Sequence, residues 1–268
     1  MSAPADLAVY LDFVHTLADA ARGETLPRFR TGLDVDNKIA ASFDPVTDAD
    51  REAERAIRAK IEAVFPEHGI FGEEFGVKPG DGVHRWVLDP VDGTRSFICG
   101  SPTWTTLIAL ELEGEPRVGV IDQPYIGERW IGTDTRTLLH RGSSIRAVKT
   151  SGCTKLADAI ISTTDPRPPA PLYKEAADAF ARVADACKLA RFSMDAYAYA
   201  LLATGQIDLV IEGGLQHYDY AALAPVVRGA GGVVSDWQGG AFDASKGGFL
   251  VASATPELHA AALEMLAG

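Results

Sequence analysis

The residues with the clearest potential for chemistry are two aspartates within the run WVLDPVDGTRSF at residues 86–97. Asp89 and Asp92 lie three residues apart at the end of an apolar segment. Paired carboxylate oxygens are the ligands that Mg²⁺ and Ca²⁺ prefer in proteins. Pro90 stiffens the turn between them, and Gly93 lets the backbone pass close to a ligand. The run therefore predicts a binding site for a hard divalent cation.

The same run also suits a phosphate group. If a helix begins after the second aspartate, the backbone N–H groups of Gly93 and Thr94 face outward at its N-terminus, where an anion is stabilised. A cation site beside a phosphate site indicates chemistry on a phosphate ester. An Asp-Pro-Val-Asp-Gly segment is equally typical of an ordinary turn, so the run alone leaves both interpretations open.

Further acidic residues follow or precede apolar stretches in three other segments. Each has an ordinary explanation, because acids after a strand are common at the surface and Thr47, Asp48 or Asp219 could simply cap a helix. The chemical interpretation depends on all of these segments occurring in one chain. The three segments are VTDAD at 46–50, IFGEE at 70–74 and IEGGLQHYD at 211–219.

Together the four segments resemble the inositol monophosphatase superfamily of metal-dependent, lithium-sensitive phosphatases. The first signature of that family resembles residues 86–97, and the second resembles residues 218–232. The segments at 46–50 and 72–74 fall in the expected order before them, and the resemblance covers nearly the whole chain. It implies a layered α-β-α-β-α sandwich of the inositol monophosphatase and fructose-1,6-bisphosphatase type, with one α+β half and one α/β half.

Within this superfamily the chain looks most like the histidinol-phosphate phosphatases. The similarity is carried by residues 94–104, 195–200 and 214–219. Inositol phosphatases typically have Thr-Asn-Phe after the Asp-Gly-Thr, a small Gly-Thr-Ala segment near position 195, and Trp-Asp where this chain has Tyr218-Asp219. These departures argue against inositol phosphate as the main substrate.

The resemblance implies roles for individual residues. Thr94 would orient the attacking water, Asp50 would accept the proton relayed through Thr94, and Thr47 would support Asp50. Asp50 is also an ordinary first-turn helix acid. The resemblance also implies that hydrolysis proceeds by direct attack of a metal-activated water on the phosphate. The implied ligands of Mg²⁺, or of Mn²⁺ in its place, are Glu73, Asp89, the backbone carbonyl of Val91, Asp92 and Asp219.

The substrate side of the site leaves alternatives open. The N–H groups of Gly93 and Thr94 are expected to bind phosphate. Because histidinol carries an ammonium and an imidazole, we expect acids around it. Asp195 and Glu212 are the candidates, with Arg191 nearby to steer phosphate or a carboxylate network.

The favoured activity is the hydrolysis of L-histidinol phosphate to L-histidinol and phosphate, a reaction of histidine biosynthesis. The runner-up is an inositol-1-phosphate or broad sugar-phosphate phosphatase. A nucleotide 3′-phosphatase is less well supported, because no added basic or aromatic base-binding segment is evident. A non-catalytic scaffold with the same fold is the alternative from another functional class.

Composition excludes several other kinds of partner. The 268 residues include 25 basic and 37 acidic ones, so a net charge of −12 gives no general attraction for nucleic acid. No apolar run approaches the ~20 residues of a membrane span, and no signal peptide is evident. Three widely spaced cysteines form neither a disulfide framework nor a zinc pattern. We expect a cytoplasmic homodimer that acts on a small-molecule phosphate ester, with no nucleic-acid or membrane partner.

Hydrophobic periodicity predicts the elements that must position these residues. An α+β half is expected over residues 1–150, with most metal ligands and a mainly antiparallel sheet, since residues 113–116 are typical of a hairpin turn. An α/β half over 151–268 would contribute Asp219 and the substrate pocket. Helices are predicted over 5–22, 47–66, 170–187, 196–204, 220–228 and from 256 onward. Strands are predicted over 69–72, 86–88, 105–113, 117–122, 129–131, 159–162, 188–192, 209–212, 233–235 and 249–252.

Overall fold

The computed structural model describes residues 7–31, 35–37, 45–166 and 174–268, which contain two large β-sheets, one small two-stranded sheet formed by the first two strands, and eight α-helices. The strands are β1 Val35–Asn37, β2 Pro45–Thr47, β3 Gly69–Gly72, β4 Gly76–Lys78, β5 His84–Asp92, β6 Thr105–Leu112, β7 Glu115–Gln123, β8 Glu128–Gly132, β9 Thr137–Arg141, β10 Ser144–Val148, β11 Ile160–Thr163, β12 Leu189–Phe192, β13 Leu209–Glu212, β14 Val233–Ser235 and β15 Leu250–Ser253. The helices are α1 Ala8–Thr25, α2 Asp48–Val64, α3 Thr94–Ile98, α4 Lys174–Ala186, α5 Tyr197–Ala203, α6 His217–Ala221, α7 Leu223–Gly229 and α8 Pro256–Ala267.

The larger sheet has eight strands in the order β10-β9-β8-β7-β6-β5-β3-β4. Its pairings are antiparallel except between β3 and β5. A mainly antiparallel sheet was predicted from the sequence, and the parallel pair was not. The predicted hairpin between β6 and β7 is present, and Glu113 and Gly114 have φ values of 54° and 83° there. A two-residue turn with both residues in the left-handed region matches the twist of the adjoining strands.

Alternation along the strands divides the side chains of this sheet between two cores. Trp86 and Leu88 of β5 pack on one face against α1 and α2. Val87, between them in sequence, packs on the other face against α5 and α7. The second core also includes Val210 of β13 and Ala252 of β15. The helices α5 and α7 are therefore a middle layer between the two sheets.

The smaller sheet has five strands in the order β12-β11-β13-β15-β14. Its other face, including Ile161 and Val251, packs against Phe180 of α4 and Leu258 of α8. The layers thus follow the order α-β-α-β-α, and the predicted fold class is confirmed. The division into units at 1–150 and 151–268 stays a prediction, because the middle helices pack against both sheets.

Several predicted elements differ in extent. The helix predicted over 220–228 is two short helices, α6 and α7. Pro225 lies in the first turn of α7 and has no N–H to continue a helix from α6. The first four residues of the helix predicted over 170–187 lie outside the described residues, and α4 begins at Lys174. Strands β1, β2, β4, β9 and β10 were not predicted. The first two have only three residues each, and polar or exposed residues interrupt the patterns of the other three.

Candidate active site

The irregular end of β5 carries the two aspartates of the first segment. Pairing with β6 shifts register between Asp89 and Asp92, so the segment is a distorted strand end instead of the predicted turn. The N–H of Val91 donates to Asp89 Oδ1 at 3.2 Å, and Thr106 Oγ1 donates to the carbonyl of Pro90 at 2.8 Å. These bonds hold the distortion in place and direct both carboxylates into one cleft.

Two neighbouring elements add further acids to this cleft. Because β3 runs parallel to β5, with Gly72 opposite Leu88, the residue after β3 lies beside the end of β5. That residue is Glu73, whose N–H donates to the carbonyl of Leu88 at 3.1 Å. Asp219 comes from α6 of the middle layer, where its Oδ2 also accepts from the N–H of Gln216 at 2.7 Å. All the acidic residues predicted as metal ligands thus line one cleft.

The geometry and chemistry of these acids fit a hard cation. Ligand oxygens of Asp89, Asp92 and Asp219 lie within 4.8 Å of one another. Burial raises the pKa of Asp89 well above its ordinary value, and the charges of Glu73, Asp92 and Asp219 raise it further. Burial also raises the pKa of Asp92 well above its ordinary value, reinforced by Asp195 and Asp219. Carboxylates forced together in this way are stabilised by a bound divalent cation.

Gly93 joins the metal-binding acids to the short helix α3. It has φ of 81°, a left-handed conformation that glycine adopts without strain. An added Cβ would also lie 2.8 Å from Oδ2 of Asp195. Conformation and space therefore both require glycine at this position. Gly93, Thr94 and the predicted carbonyl ligand Val91 line the cleft.

Thr94 connects the cleft to a buried carboxylate. Its Oγ1 lies 3.4 Å from Asp50 Oδ1 and 3.1 Å from the carbonyl oxygen of Val91. Oδ2 of Asp50 accepts from the N–H of Thr47 at 2.8 Å and from its Oγ1 at 2.6 Å. Thr47, and not Asp48, is the cap residue of α2. The three residues predicted for proton transfer therefore form one hydrogen-bonded chain.

Burial gives Asp50 the pKa of a weak acid. Asp50 is buried, and desolvation raises its pKa to about 6, although the hydrogen bonds from Thr47 lower it. A base with a pKa near neutrality can accept a proton and release it again at physiological pH. Asp50 lies in the first turn of α2, where an acid stabilises a helix, and it also contacts Thr94. The structural role and the proton-accepting role are therefore compatible.

The cleft is also lined by the two acids predicted for the leaving group, Asp195 and Glu212. Glu212 ends β13, and its carboxylate accepts from Thr164 N–H at 2.8 Å, Thr164 Oγ1 at 2.9 Å and Thr163 Oγ1 at 3.2 Å. Burial raises its pKa to about 8 despite these bonds. Asp195 accepts from Ser96 Oγ at 2.7 Å, and burial raises its pKa as well.

One predicted residue is elsewhere, and several contributors were missed. Arg191 is exposed on β12, the edge strand of the smaller sheet, and is not among the residues that line the cleft. Ser96, Thr163 and Thr164 were not singled out from the sequence. The available signal was that β11 and β13 are parallel, since their ends at Thr163 and Glu212 then meet at one edge.

A second cluster of ligand-type side chains lies away from this cleft. His68, Asp81 and His84 also bring ligand atoms within 4.8 Å of one another. The two imidazole rings stack at 4.3 Å with 3° between their planes, and His68 Nδ1 accepts from Trp86 Nε1 at 3.1 Å. Nitrogen lone pairs lie in the ring plane, so those of parallel stacked rings do not converge on one ion. The cluster is a hydrogen-bonded stack, unlike the acids of the cleft.

Two other histidines contact charged side chains. His217 Nε2 contacts Glu111, which also pairs with Arg85. His15 Nδ1 accepts from Arg129 Nη1 at 3.1 Å. No helix within the described ranges has the length and apolar character needed to cross a membrane.

Comparison with known proteins agrees with this geometry. The family model described as "Inositol monophosphatase family" matches residues 6–267. The bifunctional chloroplastic phosphatase IMPL2 of Arabidopsis thaliana is 44% identical over 94% of this chain and 73% of its own length. A histidinol-phosphatase of Chlorobaculum parvum is 36% identical over 83% of this chain and 84% of its own.

The fold matches solved structures of the same family. The inositol monophosphatase from Zymomonas mobilis superposes with a TM-score of 0.85 and 38% identity, covering 98% of this chain and 100% of that one. Family, relatives and fold agree with the acid-lined cleft, and the relatives named above are phosphatases. The chain is accordingly a phosphatase of the metal-dependent inositol monophosphatase family.

Proposed function

We propose that this phosphatase hydrolyses L-histidinol phosphate to L-histidinol and inorganic phosphate, with Mg²⁺ as its cofactor. The observation that carries the proposal is that two further acids, Asp195 and Glu212, line the same cleft as the acids assigned to the metal. An uncharged leaving alcohol would leave both acids without a cationic partner on the ligand. The ammonium of histidinol would supply that partner. Similarity to the histidinol-phosphatase of Chlorobaculum parvum supports the same choice.

We assign the cation to the acids at the ends of β3 and β5 and on α6. When bound, Mg²⁺ would neutralise phosphoryl charge and lower the pKa of a water nucleophile. The residues that would hold it, or Mn²⁺ in its place, are Glu73, Asp89, the carbonyl of Val91, Asp92 and Asp219.

The protein's own groups would handle the phosphate and the proton. The N–H groups of Gly93 and Thr94 would bind phosphate oxygens. The Oγ1 of Thr94 would take a proton from the attacking water as it passes its own proton to Oδ1 of Asp50, 3.4 Å away. Thr47 holds the other oxygen of that carboxylate, so Asp50 is oriented toward Thr94. Arg191 would influence the substrate only from a distance.

The runner-up is hydrolysis of inositol-1-phosphate or a range of sugar phosphates. The similarity to the inositol monophosphatase of Zymomonas mobilis favours it. The scaffold alternative is disfavoured, because every acid of the metal-binding set and the Thr94–Asp50 pair are intact. A cytoplasmic location and a homodimeric state remain predictions from the sequence.

A substrate panel tests the assignment. We expect kcat/KM for L-histidinol phosphate to exceed the values for inositol-1-phosphate and glycerol phosphate by at least about tenfold, a difference of ~1.4 kcal/mol. Activity should require Mg²⁺ or Mn²⁺ and disappear in excess EDTA. A preference for inositol-1-phosphate would transfer the assignment to the runner-up. Full activity in EDTA would reject the metal assignment.

A further inference from the structure

Glu54 of α2 is a buried acid behind the cleft whose contacts lead to the loop that carries Glu73. Its side chain has 0% exposure. Its carboxylate accepts from the N–H of Glu74 at 2.7 Å, the N–H of Phe75 at 3.2 Å and the Nε of Arg58 at 2.7 Å. Hydrogen bonds to a buried charge are stronger than neutral ones, so these contacts anchor the loop to α2.

The strand before the loop leaves space for this carboxylate. A Cβ added to Gly72 would lie 1.9 Å from Oε1 of Glu54 and 2.4 Å from its Cδ. Any side chain at position 72 would therefore push the carboxylate away from the loop. Close approach, and not an unusual φ, is what requires glycine here.

A second residue of the same helix face holds the far side of the loop. Arg58 pairs with Glu54 and also donates through Nη2 to the carbonyl of Gly76. Arg55 lies over the ring of Phe75, with its guanidinium carbon 4.9 Å from the ring centroid. The loop after β3 is thus fastened to α2 at successive residues.

We propose that Glu54 is a positioning residue for Glu73 and thereby sets the affinity of the site for Mg²⁺. This rests on the proposed function in one respect, since Glu73 is taken as a metal ligand. The N–H of Glu73 is held by Leu88 of β5, while Glu54 holds the next two N–H groups. Removing a residue that holds a metal ligand in place typically lowers metal affinity or activity by 10- to 100-fold.

The helix α2 therefore serves two parts of the site. Asp50 in its first turn faces Thr94, and Glu54 one turn later faces the loop of Glu73. A rigid helix that carries both groups keeps the proton acceptor and the metal-binding loop at a constant separation.

The test is Mg²⁺ binding to the full-length Glu54→Gln variant, measured by isothermal titration calorimetry. A glutamine has one carbonyl oxygen, so at least one of the donors around position 54 would face its NH₂ group. We expect the Kd for Mg²⁺ to rise by about 10- to 100-fold. Glu62→Gln, at an exposed position of the same helix, is the control and should leave Kd unchanged.

Thermal unfolding separates positioning from simple structural support. In EDTA the Tm of Glu54→Gln is expected to fall, and the rise in Tm on adding a fixed amount of Mg²⁺ should be smaller than for the wild type. Gly72→Ala should reproduce the weaker Mg²⁺ binding, because its Cβ displaces the Glu54 carboxylate. If Glu54→Gln does not fold, the Kd of Gly72→Ala for Mg²⁺ tests the proposal in its place.

The outcomes distinguish this inference from the proposed function. A Kd for Mg²⁺ within twofold of wild type in a folded variant would overturn the positioning role, whatever the substrate. Weaker Mg²⁺ binding in a protein that does not prefer histidinol phosphate would support the positioning role and reject the proposed substrate.

Discussion

Asp89 is the residue on which the metal-binding acids converge, since Glu73, Asp92 and Asp219 all raise its pKa. We expect Asp89→Asn to lower kcat/KM by at least about 100-fold, because the charge nearest all the other ligands is removed. Initial rates over a Mg²⁺ titration measure the effect. Asp158→Asn, at an exposed position, is the control. Near-normal turnover of Asp89→Asn would contradict its role as a ligand.

Thr94 is placed to move a proton, because its hydroxyl lies between the cleft and Asp50. Thr94→Ala is expected to reduce kcat by about 100-fold or more, the usual scale for losing proton-transfer assistance. KM should change less, since the backbone N–H groups of Gly93 and Thr94 are also proposed to hold the phosphate. Thr94→Ser retains the hydroxyl and should recover most of the rate. A large rise in KM at unchanged kcat would make Thr94 a binding residue only.

Asp195 is the residue that we propose recognises a cationic leaving group. Loss of a charged hydrogen bond typically costs ~1.5–3 kcal/mol, which is roughly 10- to 150-fold in kcat/KM. We expect Asp195→Asn to produce this loss with histidinol phosphate and a much smaller one with glycerol phosphate. The ratio of the two losses isolates the leaving-group contact from the shared metal chemistry. Equal losses on both substrates would mean that Asp195 supports the site as a whole.

The turn between β5 and α3 is the element in which backbone conformation and ligand binding meet. Gly93→Ala places a side chain at φ of 81°, with its Cβ 2.8 Å from Asp195. Gly114→Ala provides a matched control, because Gly114 has φ of 83° and nothing lies within 4 Å of the added Cβ. Both substitutions should lower the free energy of unfolding by ~1–2 kcal/mol through backbone strain.

Kinetics should distinguish these two glycines. Only Gly93→Ala is expected to reduce kcat/KM, by about tenfold or more, because it displaces Asp195 and the N–H groups proposed to bind phosphate. Chemical denaturation and steady-state kinetics of both variants measure the two effects. Equal kinetic losses in the two variants would show that the turn affects activity only through overall stability.

The cleft as a whole concentrates acids that are protonated more readily in the folded protein than in the unfolded chain. Burial raises the pKa of Glu212 from 4.5 to about 8 and that of Asp50 from 3.8 to about 6. The stability linked to these groups is present below their unfolded pKa values and is lost as pH rises through the folded ones. His15, His68, His140 and His259 have lowered pKa values, so their contribution to stability increases with pH instead, but only up to about pH 6.5.

We therefore expect the metal-free protein to lose stability between pH 6.5 and about 8.5. Each group of this kind contributes a slope approaching ~1.4 kcal/mol per pH unit. Urea denaturation in EDTA at several pH values measures the slope. It should be smaller in Glu212→Gln, and Mg²⁺ should reduce it in the wild type by stabilising ionised carboxylates. A stability that rises over this range would show that the acids are not protonated in the folded state.

The sequence by itself determined the chemical identity of the site and much of the architecture. Asp89, Asp92 and Thr94 lie in one short segment, so the chain itself keeps them close, and the resemblance of the four segments to a known family indicated their roles. The hairpin between β6 and β7 depended only on its own turn residues. Predictions of this kind agree with the folded structure because they depend on residues within a few positions of one another.

Only the tertiary structure decided which distant residues share the cleft. Parallel pairing of β3 with β5 brings Glu73 to Asp89, and pairing of β11 with β13 brings Thr163 and Thr164 to Glu212. The same packing leaves Arg191 exposed on an edge strand. Strand pairing and layer packing join residues far apart in the chain, so spacing along one sequence does not contain that information.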